Sequence, residues 1–435
     1  MVPKSSKFFR DPIHGYIEVD GDFIEIVDSS LFQRLRRIRQ LAFTDLVYHG
    51  AEHSRFGHSL GAYHLASEIA NKFGIKDSQI KNEFRLAALL HDIGHPPCSH
   101  AFEAVVEDLH MNGKHEAYTE AIIRHTEIGD KIVDLGLSKD TIAKLIRGRY
   151  IEKPESSYLN ELISSELDVD RLDYLLRDSY YCGVPYGKYD LQRLLLGITT
   201  KNGKVVVEEK ARHATENFIL SRFWMYTQVY THHTRRAFDV MLKFIYSKDI
   251  LKDLEYPRPT KKEIGNIENY DDAWLFEKTA EIAQLGKGNE SIIAQCFRRG
   301  KQIRRAVDKI AYAQRDSQRI DPQFTAIETL ESFKDEIAAN IGIDPDLIFF
   351  DKPWKDLPFE SKYRQYGQGE GGAIELLFRD GETRDIAFDP SSLAFNVSKW
   401  IARVVRVYTL ELKRKTLAKV IAKKCPDLKP FLITG

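Results

Sequence analysis

Residues 53–66, HSRFGHSLGAYHLA, and residues 89–103, LLHDIGHPPCSHAFE, decide how this chain is read. They bring His58, His91, Asp92, His95 and His100 close together in sequence. The apolar positions Phe84, Ala87, Ala88 and Leu90 predict a buried helix that ends in His91-Asp92-Ile93-Gly94, because Pro96-Pro97 cannot continue it. Adjacent residues project in different directions, so His91 and Asp92 reach one ion together only at such a terminus. Imidazole and carboxylate together suit Mn, Fe, Co, Ni or Zn. A histidine from the preceding helix and a carboxylate from a later one would complete a site with positions left open for water. A single His-Asp pair carries little information. The apolar run, the upstream His58 and a distal acidic helix carry it jointly.

That distal helix is read in residues 164–183, SSELDVDRLDYLLRDSYYCG. Asp170, Tyr174 and Asp178 recur at i, i+4 and i+8 and share a face, and Asp173 with Arg177 forms another i, i+4 pair. Taken alone, these charges read as a solvated stripe of salt bridges. Leu167, Leu172, Leu175 and Leu176 nevertheless turn the helix toward a core, where carboxylates need partners or a metal.

Working outward, residues 1–22 predict a short strand or hairpin involving Ile13 and Ile17-Glu18-Val19, around Gly15 and Gly21. Asp28 or Ser29 can cap a helix carrying Leu31, Phe32, Leu35, Ile38 and Leu41. A helix is expected from about Ser59 to Gly74, and others over 101–111, 115–127, 139–148, 159–178 and 213–248. Val205-Val206-Val207 reads as a strand. Residues 256–272, with Pro, Gly and Asn, are the candidate boundary between a 1–250 catalytic core and a 251–435 lobe. Helices are expected over 273–285, 290–313 and 325–340, a loop-rich stretch over 351–372, two strands joined at Asp380-Gly381, and a basic amphipathic helix over 391–424. The fold class is mainly α: a helical core with small β additions and a C-terminal α+β lobe.

Composition bounds the function. Of 435 residues, 43% are apolar and 29% charged, ordinary values for a globular protein. Lys plus Arg and Asp plus Glu number 64 each, which argues against a polybasic nucleic-acid coat or an acidic tail and leaves room for local basic patches. Arg34, Arg36, Arg37 and Arg39 line one segment, and Lys/Arg are dense at 298–305 and 412–424; such runs read as solvated faces. Cys98, Cys182, Cys296 and Cys425 lie far apart without a CxxC pair, which disfavours a disulfide framework and favours a reducing compartment. The N-terminal residues hold no apolar signal core, and no apolar run reaches the roughly 18 residues of a membrane span. The expectation is a cytoplasmic protein without a membrane partner.

His58, His91-Asp92 and Asp170 resemble, residue by residue, the H…HD…D pattern of the HD-domain phosphohydrolases. DPIHGYIEV (11–19), SSLFQRLRRIRQL (29–41), SRFGHSLG (54–61), HDIGHPPCSHAFE (91–103), DVDRLDYLLRD (168–178) and HHTRRAF (232–238) are similar to the deoxynucleoside triphosphate (dNTP) triphosphohydrolases among them, the sterile-alpha-motif and HD-domain enzymes and their bacterial homologues. The resemblance covers roughly residues 7–240. It implies hydrolysis of a dNTP to a deoxynucleoside and inorganic triphosphate. His58, His91, Asp92 and Asp170 would hold a divalent metal (Mn, Fe, Zn, Co, Ni or Mg), with a second Mg accompanying the nucleotide. His95 and His115 would be the acid/base histidines, Glu103 would orient His115, and His100 would line the pocket. Arg55, Arg171 and Tyr174 would hold phosphates, Gln40 and Asp178 the 3′-hydroxyl, and Leu41 would pack where a ribose 2′-hydroxyl would sit. Where relatives point an arginine at the terminal phosphate, Tyr230 stands here, with Arg235 or Arg222 able to substitute.

The resemblance also implies a guanine-nucleotide (GTP/dGTP) effector pocket of Lys7, Asp28, Gln33 and Arg36, and a homotetramer. Read without it, Asp28 is a helix cap, His115 an exposed histidine at a helix start and Leu41 the end of an apolar stripe. Two other functions stay open on sequence: an HD phosphohydrolase of a different nucleotide or phosphoester, and a nucleotide-sensing or nucleic-acid-binding protein with a non-catalytic HD site.

Overall fold

The first element is an antiparallel hairpin of β1 (Lys7–Asp11) and β2 (Gly15–Val19), with Phe9 opposite Ile17. Its turn is closed by Gly15 at φ +77°, a region open mainly to glycine. The Asp11 carboxylate accepts the Ile13 and His14 amides at 2.9 and 3.0 Å. Ile13 therefore sits in the turn rather than in a strand. The computed structural model describes residues 5–110, 113–150, 156–246, 250, 253–301, 303–314, 329–352, 374–398 and 400–433.

A short α1 (Ile24–Val27) ends at Asp28, and α2 (Ser30–Gln33) starts behind Ser29, whose hydroxyl accepts the Phe32 amide at 3.3 Å. The expected helix through Leu41 stops early. After a tight turn over Arg34–Arg37, Ile38 becomes extended, and its carbonyl accepts the Arg55 amide while the Gln40 amide donates to the His53 carbonyl, both at 3.0 Å. This long-range pairing replaces the helical ladder, and periodicity does not reveal it.

α3 (Arg55–Lys72) begins before Ser59 and ends ahead of Gly74, at φ +61°. α4 (Ser78–Leu90) is capped by Asp77 and terminates at His91 as expected. α5 (His100–Leu109), α6 (His115–His125), α7 (Glu127–Asp134), α8 (Lys139–Ile146), α9 (Tyr158–Ile163) and α10 (Val169–Cys182) follow. The expected 159–178 helix is two helices, because the Asp168 carboxylate accepts the Ser165 and Arg171 amides at 3.0 and 2.8 Å and restarts the chain. Then come α11 (Leu191–Gly197), the hairpin β3 (Ile198–Lys201) and β4 (Lys204–Glu208), α12 (Arg212–Met225) and α13 (His233–Ile245). A π-helical turn over Tyr226–Tyr230 and a non-helical His232 split the expected 213–248 helix.

Beyond lie α14 (Asp272–Gln284), α15 (Gly288–Arg298), β5 (Arg304–Gln314), α16 (Lys334–Ile341), β6 (Phe349–Asp351), β7 (Glu375–Leu377), β8 (Thr383–Asp385), α17 (Leu393–Ser398), β9 (Trp400–Thr409) and α18 (Arg414–Lys424). Two helix expectations fail here. The 290–313 helix ends at Arg298 and continues as β5, and the 391–424 helix is α17, β9 and α18. β5 pairs with β9, and β6 lies on the other side of β9. Arg406 hid the strand: it is buried among valines and salt-bridged to Asp308 at 2.7 Å, so a core residue read as surface charge. The hairpin around Gly381 (φ +84°) forms as β7–β8, and β7 joins β4 in a second sheet. Most of the loop-rich stretch (353–373), and 325–328 of the expected 325–340 helix, lie outside the described residues.

The chain is mainly α, with three small sheets among the described residues. One apolar core runs from Leu60, Leu89 and Leu172 through Met241 to Leu275 and Ile293. A smaller one, with Ile337, Val405, Leu417 and Ile421, lies under the C-terminal sheet. Residues 256–272 lie against the first core: Tyr118 donates to the Pro257 carbonyl at 2.9 Å, and Ile264 and Ile267 are fully buried. Among the described residues no helix is long and apolar enough to cross a membrane.

Candidate metal centre and active site

Three elements deliver the four expected ligands to one point. α3 carries His58, the end of α4 carries His91 and Asp92, and the first turn of α10 carries Asp170. His58 Nε2 lies 3.2 Å from His91 Nε2, 3.0 Å from Asp170 Oδ1 and 3.6 Å from Asp92 Oδ2. His91 Nε2 lies 3.4 Å from Asp92 Oδ1 and 3.7 Å from Asp170 Oδ1. Donors held about 2.1 Å from one ion stand roughly 3.0–3.4 Å apart; His58, His91 and Asp92 lie close enough together to share one divalent cation, and Asp170 Oδ1 stands beside both imidazoles. The other ring nitrogens are committed: His58 Nδ1 donates to Asp173 and His91 Nδ1 to the Ala88 carbonyl, each at 2.8 Å, which aims both Nε2 atoms inward. Burial pulls the His58 pKa down, but hydrogen bonds to Asp170 and Asp173 and the nearby carboxylate charges outweigh it and push it up to about 10.

Asp173 is the hub of a buried network, as the core-facing leucines of its helix require of a carboxylate. It accepts from His58 and from His14 Nε2 at 2.7 Å, and from Arg177 at 2.8 and 2.9 Å. Arg177 continues to Asp11 at 2.8 Å. Asp173 is 0% and Arg177 1% exposed. Gly61 makes room: a Cβ there would lie 2.5 Å from Asp173 Cγ. Leu172 and Leu175 marked the helix as core-facing; the partners His14 and Asp11 had no local signal.

The histidines after Asp92 form a second array. His95 Nε2 lies 3.2 Å from Asp92 Oδ1, and its ring stacks on His115 with centroids 3.9 Å apart. Glu103 Oε1 accepts from both the amide and Nδ1 of His115, at 2.8 and 2.6 Å, and Oε2 accepts from His100 Nδ1 at 2.7 Å. The stacking requires α6 to approach the His-Asp loop closely. Gly94 permits it: a Cβ there would lie 2.7 Å from Thr119 Oγ1 and closer still to the His115 carbonyl. The buried Arg34 clamps the same loop through the His95 carbonyl at 2.7 Å. The two stacked rings differ in proton affinity. Burial, with the charges of Arg55 and His115, holds His95 well below the usual histidine range. Burial also lowers His115, but Glu103 outweighs it and raises that pKa.

Gln40, Leu41 and Asp178 are buried. Both Asp178 oxygens are engaged, by His53 Nε2 at 2.8 Å and by the Tyr230 hydroxyl at 2.7 Å. Sequence reasoning assigned His53 no role. Arg55 donates to Asp92 and, at 2.7 Å, to Ser99 Oγ. Arg171 pairs with Asp168, and the Tyr174 ring stands 6.4 Å from that of His58. Arg222 pairs with Glu166, and Arg235 donates to the Tyr230 carbonyl. Gln40 Oε1, His95 Nδ1 and Arg171 Nε are buried without a partner among the described residues.

The four expected effector residues gather on an exposed face apart from this cluster. Lys7 Nζ lies 3.5 Å from Asp28 Oδ1, Gln33 donates to the Val27 carbonyl at 2.8 Å, and Arg36 donates to Gln33 at 2.8 Å while its guanidinium covers the Phe56 ring at 3.5 Å. Ser29, not Asp28, caps α2.

Residues 55–178 match the HD domain family model and residues 189–374 the HD associated region. The chain is 34% identical over 399 residues to uncharacterized protein YwfO of Bacillus subtilis, an alignment covering 88% of this chain and 87% of that one. It is 32% identical over 252 residues to the deoxynucleoside triphosphate triphosphohydrolase SAMHD1 homolog of Dictyostelium discoideum, covering 55% of this chain and 48% of that protein. A solved structure of a hypothetical protein from Aquifex aeolicus superposes with a TM-score of 0.74 at 28% identity, over 96% of this chain and 99% of that chain. All four metal-ligand candidates fall inside the matched HD span, and the chain belongs to the HD-domain family of metal-binding hydrolases, with an HD-associated region after the HD domain.

Proposed function

We propose that the chain hydrolyses dNTPs to deoxynucleoside and inorganic triphosphate, under activation by a guanine nucleotide. The observation that carries this reading is the stacked His95–His115 pair beside the two-histidine, two-aspartate donor set. One ring is kept neutral and the other is favoured as a cation by Glu103. His58, His91, Asp92 and Asp170 would hold a divalent ion, which when bound would polarise a phosphoryl oxygen and acidify a water.

The remaining work falls to the chain's own groups. His115, held by Glu103 through Nδ1, presents Nε2 to protonate the leaving 5′-oxygen. Separated proton affinities in one site are what an acid and a base require. Arg171 and Tyr174 hold the triphosphate, and the guanidinium suits a bidentate phosphate contact. Gln40 and Asp178 bind the 3′-hydroxyl against the apolar Leu41, which leaves a ribose 2′-hydroxyl unsatisfied. The unpartnered buried atoms on Gln40, His95 and Arg171 support a polar ligand here, because buried polar atoms in proteins are otherwise bonded. The exposed Lys7, Asp28, Gln33 and Arg36 cluster supports the effector half of the reading: Asp28 would accept from the guanine edge and Lys7 meet phosphate. In this reading the subunits assemble as a tetramer.

A second reading, a phosphohydrolase of another nucleotide, draws support from Asp178, whose two oxygens are already taken by His53 and Tyr230. One experiment separates the two. Metal-loaded protein is incubated with each dNTP, rNTP and 2′,3′-dideoxynucleotide, with and without GTP or dGTP, and products are resolved by ion-pair chromatography. Deoxynucleoside plus triphosphate, with slow turnover of dideoxynucleotides, is expected. Stepwise diphosphate and monophosphate release, or indifference to the 3′-hydroxyl, refutes the first reading in favour of the second.

A further inference from the structure

We infer that Asp272, which opens α14 in the HD-associated region, is a positioning residue that fixes the sugar-binding wall against the histidine loop of the active site. The inference rests on the proposed sugar contacts of Gln40 and Leu41. Asp272 is 6% exposed. Its Oδ1 accepts the Cys98 amide at 2.6 Å and its Oδ2 accepts the Arg39 amide at 3.0 Å. Cys98 lies two residues before His100, and Arg39 directly precedes Gln40 and Leu41. One carboxylate therefore sets the spacing between the two walls of the site.

The surroundings show that this spacing needs holding. Cys98 and Ser99 both adopt positive φ, +52° and +55°, which non-glycine residues keep only when their surroundings over-determine it. Ser99 Oγ donates to the Arg39 carbonyl at 2.7 Å and accepts from Arg55 Nε at 2.7 Å. Arg55 in turn pairs with the ligand candidate Asp92. The ring Asp272–Arg39–Ser99–Cys98 thus joins the metal ligands to the sugar wall, and the HD span of residues 55–178 contains neither Arg39 nor Asp272. The same segment braces the loop a second time, since the Tyr270 carbonyl accepts from Arg34 at 2.7 Å and Arg34 holds the His95 carbonyl. A buried amide requires an acceptor. Asparagine at 272 supplies one and turns a donor toward the other amide.

The test compares wild type with Asp272→Asn and with Asp271→Ala. Asp271 caps α14 by accepting the Ala273 and Trp274 amides at 3.0 and 3.2 Å and also pairs with Arg37, so its loss weakens the same helix start and one exposed ion pair while leaving the Asp272 contacts to the Arg39 and Cys98 amides in place. Two readouts are taken: amide hydrogen exchange at Arg39 and Cys98, and the binding ratio of α,β-methylene deoxy- to ribonucleoside triphosphates. Asp272→Asn is expected to speed exchange at one or both amides and to reduce deoxy/ribo discrimination at least tenfold, with bound metal unchanged by elemental analysis. Asp271→Ala is expected to lower the melting temperature and keep the ratio. Unchanged exchange in Asp272→Asn, faster exchange with an unchanged ratio, or equal loss of discrimination in both variants overturns the inference. If Asp272→Asn does not fold, Ser99→Ala opens the ring on its other side, and a wild-type ratio there overturns it as well. The exchange readout needs no turnover, so absence of dNTP hydrolysis by wild type refutes the proposed reaction and leaves the brace to be judged separately.

Discussion

Gly61→Ala tests the buried network behind the metal centre, because two effects of opposite sign meet at one methyl group. Gly61 lies inside the 18-residue helix α3, where alanine is better than glycine by about 1 kcal/mol. Propensity alone therefore expects stabilisation. The structure reverses the sign. The added Cβ would lie 2.5 Å from Asp173 Cγ and 2.6 Å from Arg177 Nη2. Neither group is free to yield, since Asp173 is held by His14, His58 and Arg177, and Arg177 also by Asp11. Breaking a buried ion pair costs about 3–5 kcal/mol. Set against the propensity gain, the net loss is about 2–4 kcal/mol. His58 would also lose the partner that orients it, and loss of such a partner lowers metal affinity roughly 10–100-fold. The assay is thermal unfolding of apo and metal-loaded protein, with a chelator competition for affinity. The variant should melt lower than wild type in both forms and gain less from metal. A variant that melts at or above wild type and holds metal equally would show that the Asp173 network is not rigid.

Three further outcomes are expected. Gly94→Ala should push α6 from the His-Asp loop and lower turnover at least about 100-fold while metal content by elemental analysis is kept, the scale on which small misplacements act; wild-type turnover would refute a role for the His95–His115 stacking. Glu103→Gln removes the carboxylate that outweighs burial at His115, so His115 loses its proton at lower pH and the alkaline limb of kcat moves down; an unmoved limb would dismiss His115 as the acid. Asp170→Asn should cut metal affinity more than about tenfold with near-native circular dichroism, by removing a charged donor 3.0 Å from His58 Nε2, and undiminished metal content would remove Asp170 from the ligand set.

Much of the site was readable because its signals are local. The apolar run ending at His91, blocked by Pro96-Pro97, located the helix terminus that carries two ligand candidates, and α4 ends there. The i, i+4, i+8 pattern of Asp170, Tyr174 and Asp178 marked α10. Each of these depends on a few neighbouring residues, as do the Ser29 cap and the turn at Gly381. Signals that depend on distant partners were lost. Residues 391–424 read as one basic amphipathic helix, although Arg406 within it is a buried residue of β9 paired with Asp308. Asp173 and Arg177 read as an i, i+4 pair on a core-facing helix, but their further partners, His14 and Asp11, lie far away in sequence and were not named.

By itself, then, the sequence picked out His58, His91, Asp92 and Asp170 as candidate metal donors, through a family resemblance, and it determined the end of α4 and the mainly α class, because periodicity, caps and helix breakers act over one or two turns. Only the tertiary structure decided that Ile38 leaves its helix to pair with residues 53–55, that Tyr230 and His53 share Asp178, and that residues 270–272 hold the active-site loop. Each of these is a hydrogen bond between segments far apart in the chain, and such a bond competes with local propensity only once the core has brought the segments together.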